Sequence, residues 1–264
     1  MEKVFQNSYT ESLRLDMDAS FDITIKEGAK GSLFITVESI PEASVTIRME
    51  AYSQLKIFIM NQSKVNTTFN FTMELNHDSL CRMGFLDLED AGLNWKQTIQ
   101  LNESGADFEI LSGQLCMPKV HKVCAMEVLH KAHDTNGIMK NFAVLCDEAN
   151  YEMVANGNID KGCYEAQSHQ ATRVLTLGKD HKAKVIPLLL IDENDVKASH
   201  ALIIGQPDEE QLYYLQSRGL STKQAMGLLS VGYFLPVINL IEDQELHDAI
   251  RTQMESKVGL YGHQ

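Results

Sequence analysis

From Phe21 onward, apolar residues fall at every second position. Phe21, Ile23 and Ile25 share one face, as do Leu33, Ile35 and Val37. The same holds for Val45, Ile47 and Met49, for Leu55, Ile57 and Ile59, and for Phe69, Phe71, Met73 and Leu75. A period of two predicts strands with one face in a core and the other in water. Turn residues punctuate the runs: Glu27-Gly28, Ile40-Pro41, Asn61-Gln62-Ser63 and Asn76-His77-Asp78. The rhythm continues through Trp95 to Leu101, Phe108 to Leu115, Cys124 to Leu129, Phe142 to Cys146, Tyr151 to Val154 and Val174 to Leu177. Residues 1 to about 20 are polar and carry no clear period. Such spacing suits a sandwich or the stacked coils of a parallel β-helix, and periodicity alone does not choose between them.

After Gly205 the pattern becomes helical. Pro207 suits a first helical position, with Asp208, Glu209 and Glu210 near the positive end of the helix dipole. Arg218-Gly219 marks a helix end. Ser221 with Gln224 forms a capping box for a second helix, which Pro236 is expected to kink or end. Residues 243 to about 258 predict a third helix, and 259–264 a frayed end. The apolar stripe of these helices is expected to cover the end of a coil stack, because an open stack leaves strand edges exposed.

Composition narrows the function. The chain has 264 residues and a formal charge of −13, from 36 acidic against 23 basic side chains. That excess excludes unspecific binding to nucleic acid or anionic membrane. There is no apolar run long enough to span a bilayer and no apolar signal core after Met1, so a cytoplasmic location is expected. The five cysteines, Cys81, Cys116, Cys124, Cys146 and Cys163, are odd in number and lack CxxC spacing, which favours free thiols. No phosphate-binding loop, HExxH or GxSxG sequence is present.

The most informative stretch is Ala183 to Ile238. In order it carries Pro187, Leu189, Ile191, Asp195-Val196-Lys197 and Ser199-His200-Ala201. Next come Asp208 to Leu212, Tyr214-Leu215-Gln216-Ser217-Arg218-Gly219, Ala225 and Tyr233-Phe234. This series resembles the SufB/SufD family of iron–sulfur cluster assembly scaffolds, and the likeness extends more weakly back to about Val128. The resemblance implies an all-β core, a right-handed parallel β-helix over 1–205, followed by C-terminal helices over 206–264 that dock an ATPase. It implies a non-enzymatic scaffold that pairs with a SufB-like subunit or with itself and binds a SufC-type ABC ATPase. Family members commonly carry a long N-terminal region before the β-helix; with alternation starting by Phe21, that region is expected to be absent or vestigial.

For site residues, the resemblance places His200 near a subunit interface where a nascent cluster forms, and neutral imidazole suits iron. A histidine packed at a strand-to-helix junction is the competing reading. His181 stands where SufB-like members carry a cysteine, and Ala201 where they carry a glutamate, so the chain is SufD-like at both points. Cys163 and Cys146 are further ligand candidates, although free cysteine more often packs inward. His130 reads as structural. The residues expected to dock the ATPase are Gln211, Tyr214, Ser217, Arg218, Gly219, Ala225 and Phe234, with Tyr213 beside them. Two other classes stay open: a carbohydrate-active β-helix enzyme using Asp192, Glu193 and Asp195, and a self-assembling structural β-helix.

Overall fold

The computed structural model describes residues 1–16 and 20–258. Its strands are β1 (Glu2–Phe5), β2 (Tyr9–Leu15), β3 (Ser20–Ile25), β4 (Lys30–Val37), β5 (Glu42–Met49), β6 (Gln54–Asn61), β7 (Thr67–Leu75) and β8 (Leu80–Asp87). They continue as β9 (Leu93–Leu101), β10 (Asp107–Cys116), β11 (His121–His130), β12 (Asn136–Leu145), β13 (Asn150–Ile159), β14 (Gln167–Thr176), β15 (Lys182–Ile191) and β16 (Lys197–Gly205). Three helices follow: α1 (Glu209–Ser217), α2 (Thr222–Ile238) and α3 (Gln244–Lys257).

Odd-numbered strands form one eight-stranded sheet and even-numbered strands another, each in simple ascending order. Neighbours within a sheet run parallel, as β11 with β13 and β14 with β16 do. Each coil therefore gives one strand to each sheet, the arrangement of a parallel β-helix. The period-two pattern follows directly: alternate side chains meet between the sheets. One inward column stacks Ile23, Ile47, Met73, Ile99 and Val128 in register. At one corner of the coils, residues with positive φ recur (Tyr52, Asp78, Gly105, Asp134 and Glu165). Each donates its backbone N–H to the next coil, as Asp78 to Ser104 O at 3.0 Å and Asp134 to Tyr164 O at 3.0 Å.

The interior also carries polar ladders. Ser112 Oγ donates to Asn141 Oδ1 at 2.7 Å, and Asn141 Nδ2 to Thr172 Oγ1 at 3.3 Å. Tyr151 OH donates to Gln114 Oε1 at 3.0 Å. Lys122 and Asp87, both fully buried, pair at 2.9 Å. The first two bonds join register partners of successive coils, whereas the Tyr151–Gln114 and Lys122–Asp87 pairs cross between the two sheets.

The helices do not cover the end of the stack. They lie on the outer face of the even sheet, where Val231, Phe234, Val237 and Ile238 of α2 pack with Phe58, Met60, Leu86, Leu115 and Val144. This explains why alternation gives way to continuous burial in the second halves of β6, β8, β10 and β12. Glycines make the approach possible: a Cβ on Gly113 would stand 2.9 Å from the Phe234 ring. Lys64 and Lys257 both reach the buried Glu89 carboxylate and pin the end of α3.

Two local expectations also change. Residues 2–5 and 9–15 are strands despite their polar sequence; they form the first coil, where only Leu13 and Leu15 are buried. Pro236 lies inside α2, which runs on to Ile238. Its missing N–H and its ring fall on an exposed side, opposite the open backbone of Gly232. The third helix has its predicted bounds within a residue, capped by Asp243. The predicted frayed end at 259–264 lies outside the described residues.

Candidate functional site

With the helices on a side face, the last coil is open. β15, sequence KAKVIPLLLI, is apolar on both faces, as a strand buried on both sides would be. Yet Ile186, Leu188 and Leu190 are exposed on its outer face, and no residue of β15 is fully buried. β16 is exposed along most of its length, including Leu202, Ile203 and Ile204. The first coil contrasts with this. There Phe5 and Tyr9 stack at 4.4 Å over the core, and Lys3 pairs with Glu11 at 3.0 Å.

The two free edges differ. Lys197 N–H donates to Ala166 O at 3.0 Å, toward β14. Parallel pairing alternates the direction of successive amides. The N–H groups of Ala198, His200, Leu202 and Ile204 therefore face the free edge, and all four are donors. In β15, Lys182 N–H donates to Ala149 O at 2.8 Å and Asp192 N–H to Ile159 O at 2.9 Å, both toward the rest of the sheet. Residue 187 thus faces the free edge, and it is proline, which has no donor there. The β16 edge is a complete hydrogen-bonding template, and the β15 edge is interrupted.

His200 sits at the middle of β16, in register with Gln170 of β14. Gln170 points inward and is 4% exposed, so the matching position of the last coil also faces the interior. His200 is itself exposed, because no further coil covers it. It is thus at the mouth of the solenoid, and not packed at a strand-to-helix junction. The other ligand candidates lie elsewhere. His181 is in the turn before β15, with Nδ1 2.9 Å from Gly178 O. Cys163 is buried at a corner and donates its thiol to His130 O at 3.2 Å. Cys146 is partly buried, with Sγ 3.8 Å from Met117 Sδ, and burial raises its pKa. Burial likewise raises that of Cys163. Among the described residues, no three His, Cys, Asp or Glu side chains are gathered as a metal would need.

His130 lies inside the core. It is fully buried, Nδ1 lies 2.8 Å from Thr135 Oγ1, and burial lowers its pKa to about 4. The acidic cluster after β15 is a turn: Glu193 accepts from the backbone N–H of Gly162 at 2.9 Å and of Asn194 at 2.8 Å, bonds that hold its carboxyl below the usual range. A carboxylate so engaged caps backbone and is poorly placed for acid–base work.

The expected docking residues divide. Gln211, Tyr214, Ser217, Arg218 and Gly219 are exposed, and α1 has no buried residue. Tyr213 is 75% exposed, and the Arg218 guanidinium lies over the Tyr214 ring at 5.2 Å. Gly219, at φ +96°, ends α1, with Leu220 N–H donating to Leu215 O at 3.3 Å. Ala225 and Phe234 are fully buried, so they hold α2 in place and do not face a partner. Sequence reasoning missed Gln170, whose position beneath His200 emerges only from the register. Among the described residues, no helix is long and apolar enough to cross a membrane.

Comparison with known proteins shows the family. The family model described as "SUF system FeS cluster assembly, SufBD core domain" matches residues 7–233. The chain is 33% identical over 132 residues to the iron–sulfur cluster assembly protein SufD of Bacillus subtilis, covering 50% of this chain and 30% of that protein. It is 25% identical over 175 residues to SufD of Escherichia coli, covering 65% of this chain and 40% of that protein. Each match thus spans less than half of the relative's own length.

Proposed function

The chain belongs to the SufBD core family, and from that premise we propose that it is a non-catalytic scaffold subunit of a Suf-type iron–sulfur cluster assembly complex. The observation that carries this reading is the open last coil, with an intact β16 edge and His200 at its mouth. A second solenoid end, from a SufB-like subunit or another copy of this chain, pairs with the β16 edge and covers the apolar residues of β15 and β16. Each added backbone hydrogen bond contributes about 0.5–1.5 kcal/mol, and burial of the apolar side chains adds more. The exposed surface of α1 and its C-terminal turn, with Tyr213, Tyr214 and Arg218, binds a SufC-type ABC ATPase. Residues 1–205 are then the scaffold core and 206–264 the docking region.

The nascent cluster is cargo. His200 supplies one imidazole and the remaining ligands come from the partner, in keeping with the lack of any group of three such donors among the described residues. Burial raises the pKa of the Cys146 and Cys163 thiols, which disfavours the thiolate, and no ligand role is assigned to them. In the first coil Lys3 pairs with Glu11 and Phe5 stacks on Tyr9, so it does not mirror the last coil, and discrete pairing through the last coil is favoured.

The test is co-expression with a SufC-like ATPase, with and without a SufB-like protein, followed by size-exclusion chromatography. A complex of all three, or of the ATPase with a dimer of this chain, is expected. Absence of any complex contradicts the reading.

A further inference from the structure

We propose that Gln170 is the positioning residue of His200. When the exposed ring turns inward, Gln170 Oε1 accepts a hydrogen bond from one ring nitrogen, and the other nitrogen's lone pair is left facing the mouth of the solenoid. The inference rests on the reading of His200 as a ligand and adds how the ligand is oriented.

Three observations carry it. Gln170 and His200 are register partners on adjacent parallel strands and occupy the same inward column, where neighbouring residues stand about 4.8 Å apart. The Gln170 amide is fixed in direction: Nε2 donates to Leu188 O of the opposite sheet at 2.7 Å. Its Oε1 is buried with no hydrogen-bond partner among the described residues, His200 included, so the proposed bond forms only when the exposed His200 ring turns toward it. An unpartnered buried acceptor is costly, on the order of 1–3 kcal/mol, and the nearest position of the next coil carries a histidine. The interior here is shaped around the glutamine. A Cβ on Gly157 would stand 3.1 Å from Gln170 Nε2 and 2.2 Å from Ser168 Oγ, so the crossing of the amide to β15 depends on glycine at that position.

The chemistry is that of an oriented imidazole. In a neutral ring one nitrogen carries the proton and the other a lone pair, and the hydrogen bond made by the first decides which is which. A fixed acceptor at Gln170 selects one tautomer and one ring orientation, and such support is worth about 10- to 100-fold in ligand function.

The test reads the two ring nitrogens of His200 by nitrogen-15 NMR at about pH 8 in the full chain with labelled histidine. The His200 signals are assigned by their loss in His200→Asn. The expected result is one protonated nitrogen in the wild type and a solvent-like mixture in Gln170→Met. Thr172→Val strips an interior hydroxyl from the next inward position of the same strand and should match the wild type. Should Gln170→Met fail to fold, Gln170→Asn, which withdraws the oxygen by one methylene, takes its place with the same expectation. A mixture in the wild type, or an equal change in Thr172→Val, overturns the proposal. In the assembled complex, loss of Gln170 should slow cluster formation about tenfold without loss of subunits. A chain that shows the single protonated nitrogen but forms no complex would sink the scaffold reading and leave this pairing standing. A mixture in a chain that does form the complex would do the reverse.

Discussion

Acid should destabilise this protein through His130. The imidazole is fully buried among the coils, Nδ1 engages Thr135 Oγ1 at 2.8 Å, and Nε2 has no partner among the described residues. Desolvation by burial disfavours the charged ring and lowers its pKa from 6.5 to about 4. The unfolded chain takes up a proton as pH falls through its own, higher value, while the folded chain resists until about 4. The unfolded state therefore binds more protons in this window, and stability falls as pH falls. The contribution is fully present above the unfolded pKa and is progressively lost below it. Between about pH 7 and about pH 4.5, linkage gives a loss of about 2.5 kcal/mol from this one group. The assay is urea unfolding at both pH values, in the wild type and in His130→Leu. The variant loses the Thr135 bond, about 1 kcal/mol at neutral pH. Carboxylates that titrate over the same range are common to both proteins, so the difference in pH dependence isolates the histidine. The wild type should lose about 2.5 kcal/mol more than the variant across the window. Equal pH dependence in the two proteins would refute the argument.

Other perturbations separate the open end from the core. Leu202→Lys should leave the melting of the isolated chain nearly unchanged, because the residue is 39% exposed, yet abolish pairing in sedimentation by setting an unpaired charge in the contact. Thr172→Lys, one coil earlier in the same inward column and 4% exposed, should unfold the chain instead, as judged by circular dichroism. Tyr214→Ala with Arg218→Ala should weaken ATPase binding in calorimetry by at least about tenfold, with no change in melting temperature. Phe234→Ala should cost about 3 to 5 kcal/mol in chemical unfolding, since a cavity opens above Gly113.

Much of the fold was legible because each inward column is filled mostly by apolar residues. Phe21, Ile23 and Ile25 announce their strand unaided. The reading weakened where the interior turns polar. The first half of β14, Gln167 to Thr172, carries inward Ser168, Gln170 and Thr172, and its strand character rests on stacking that no local pattern reveals. The same limit hid Gln170 as a neighbour of His200, because register joins residues thirty positions apart. The apolar run of β15, Val185 to Ile191 interrupted by Pro187, is plain in the sequence. That it is the last strand of its sheet, with no coil beyond it, depends on where the helices go. Their apolar stripe gave no sign of whether it would meet the end of the stack or its side. The deciding features are Gly84 and Gly113, which open space on the even sheet for Leu240 and Phe234. Phe234 and Ala225 consequently belong to the core, although their neighbours Tyr213 and Tyr214 remain on the surface.

The central claim is that the β16 edge is where a second solenoid pairs, and hydrogen exchange tests it amide by amide. In the isolated chain, the amides of Ala198, His200, Leu202 and Ile204 should exchange fast. Those of Lys197, Ser199, Ala201 and Ile203, bonded to β14, should be slow. On forming a complex with a SufB-like subunit or a second copy, the first set should become protected and the second should change little. Protection that appears elsewhere in the chain, while these four amides keep exchanging as they do in isolation, would contradict the account.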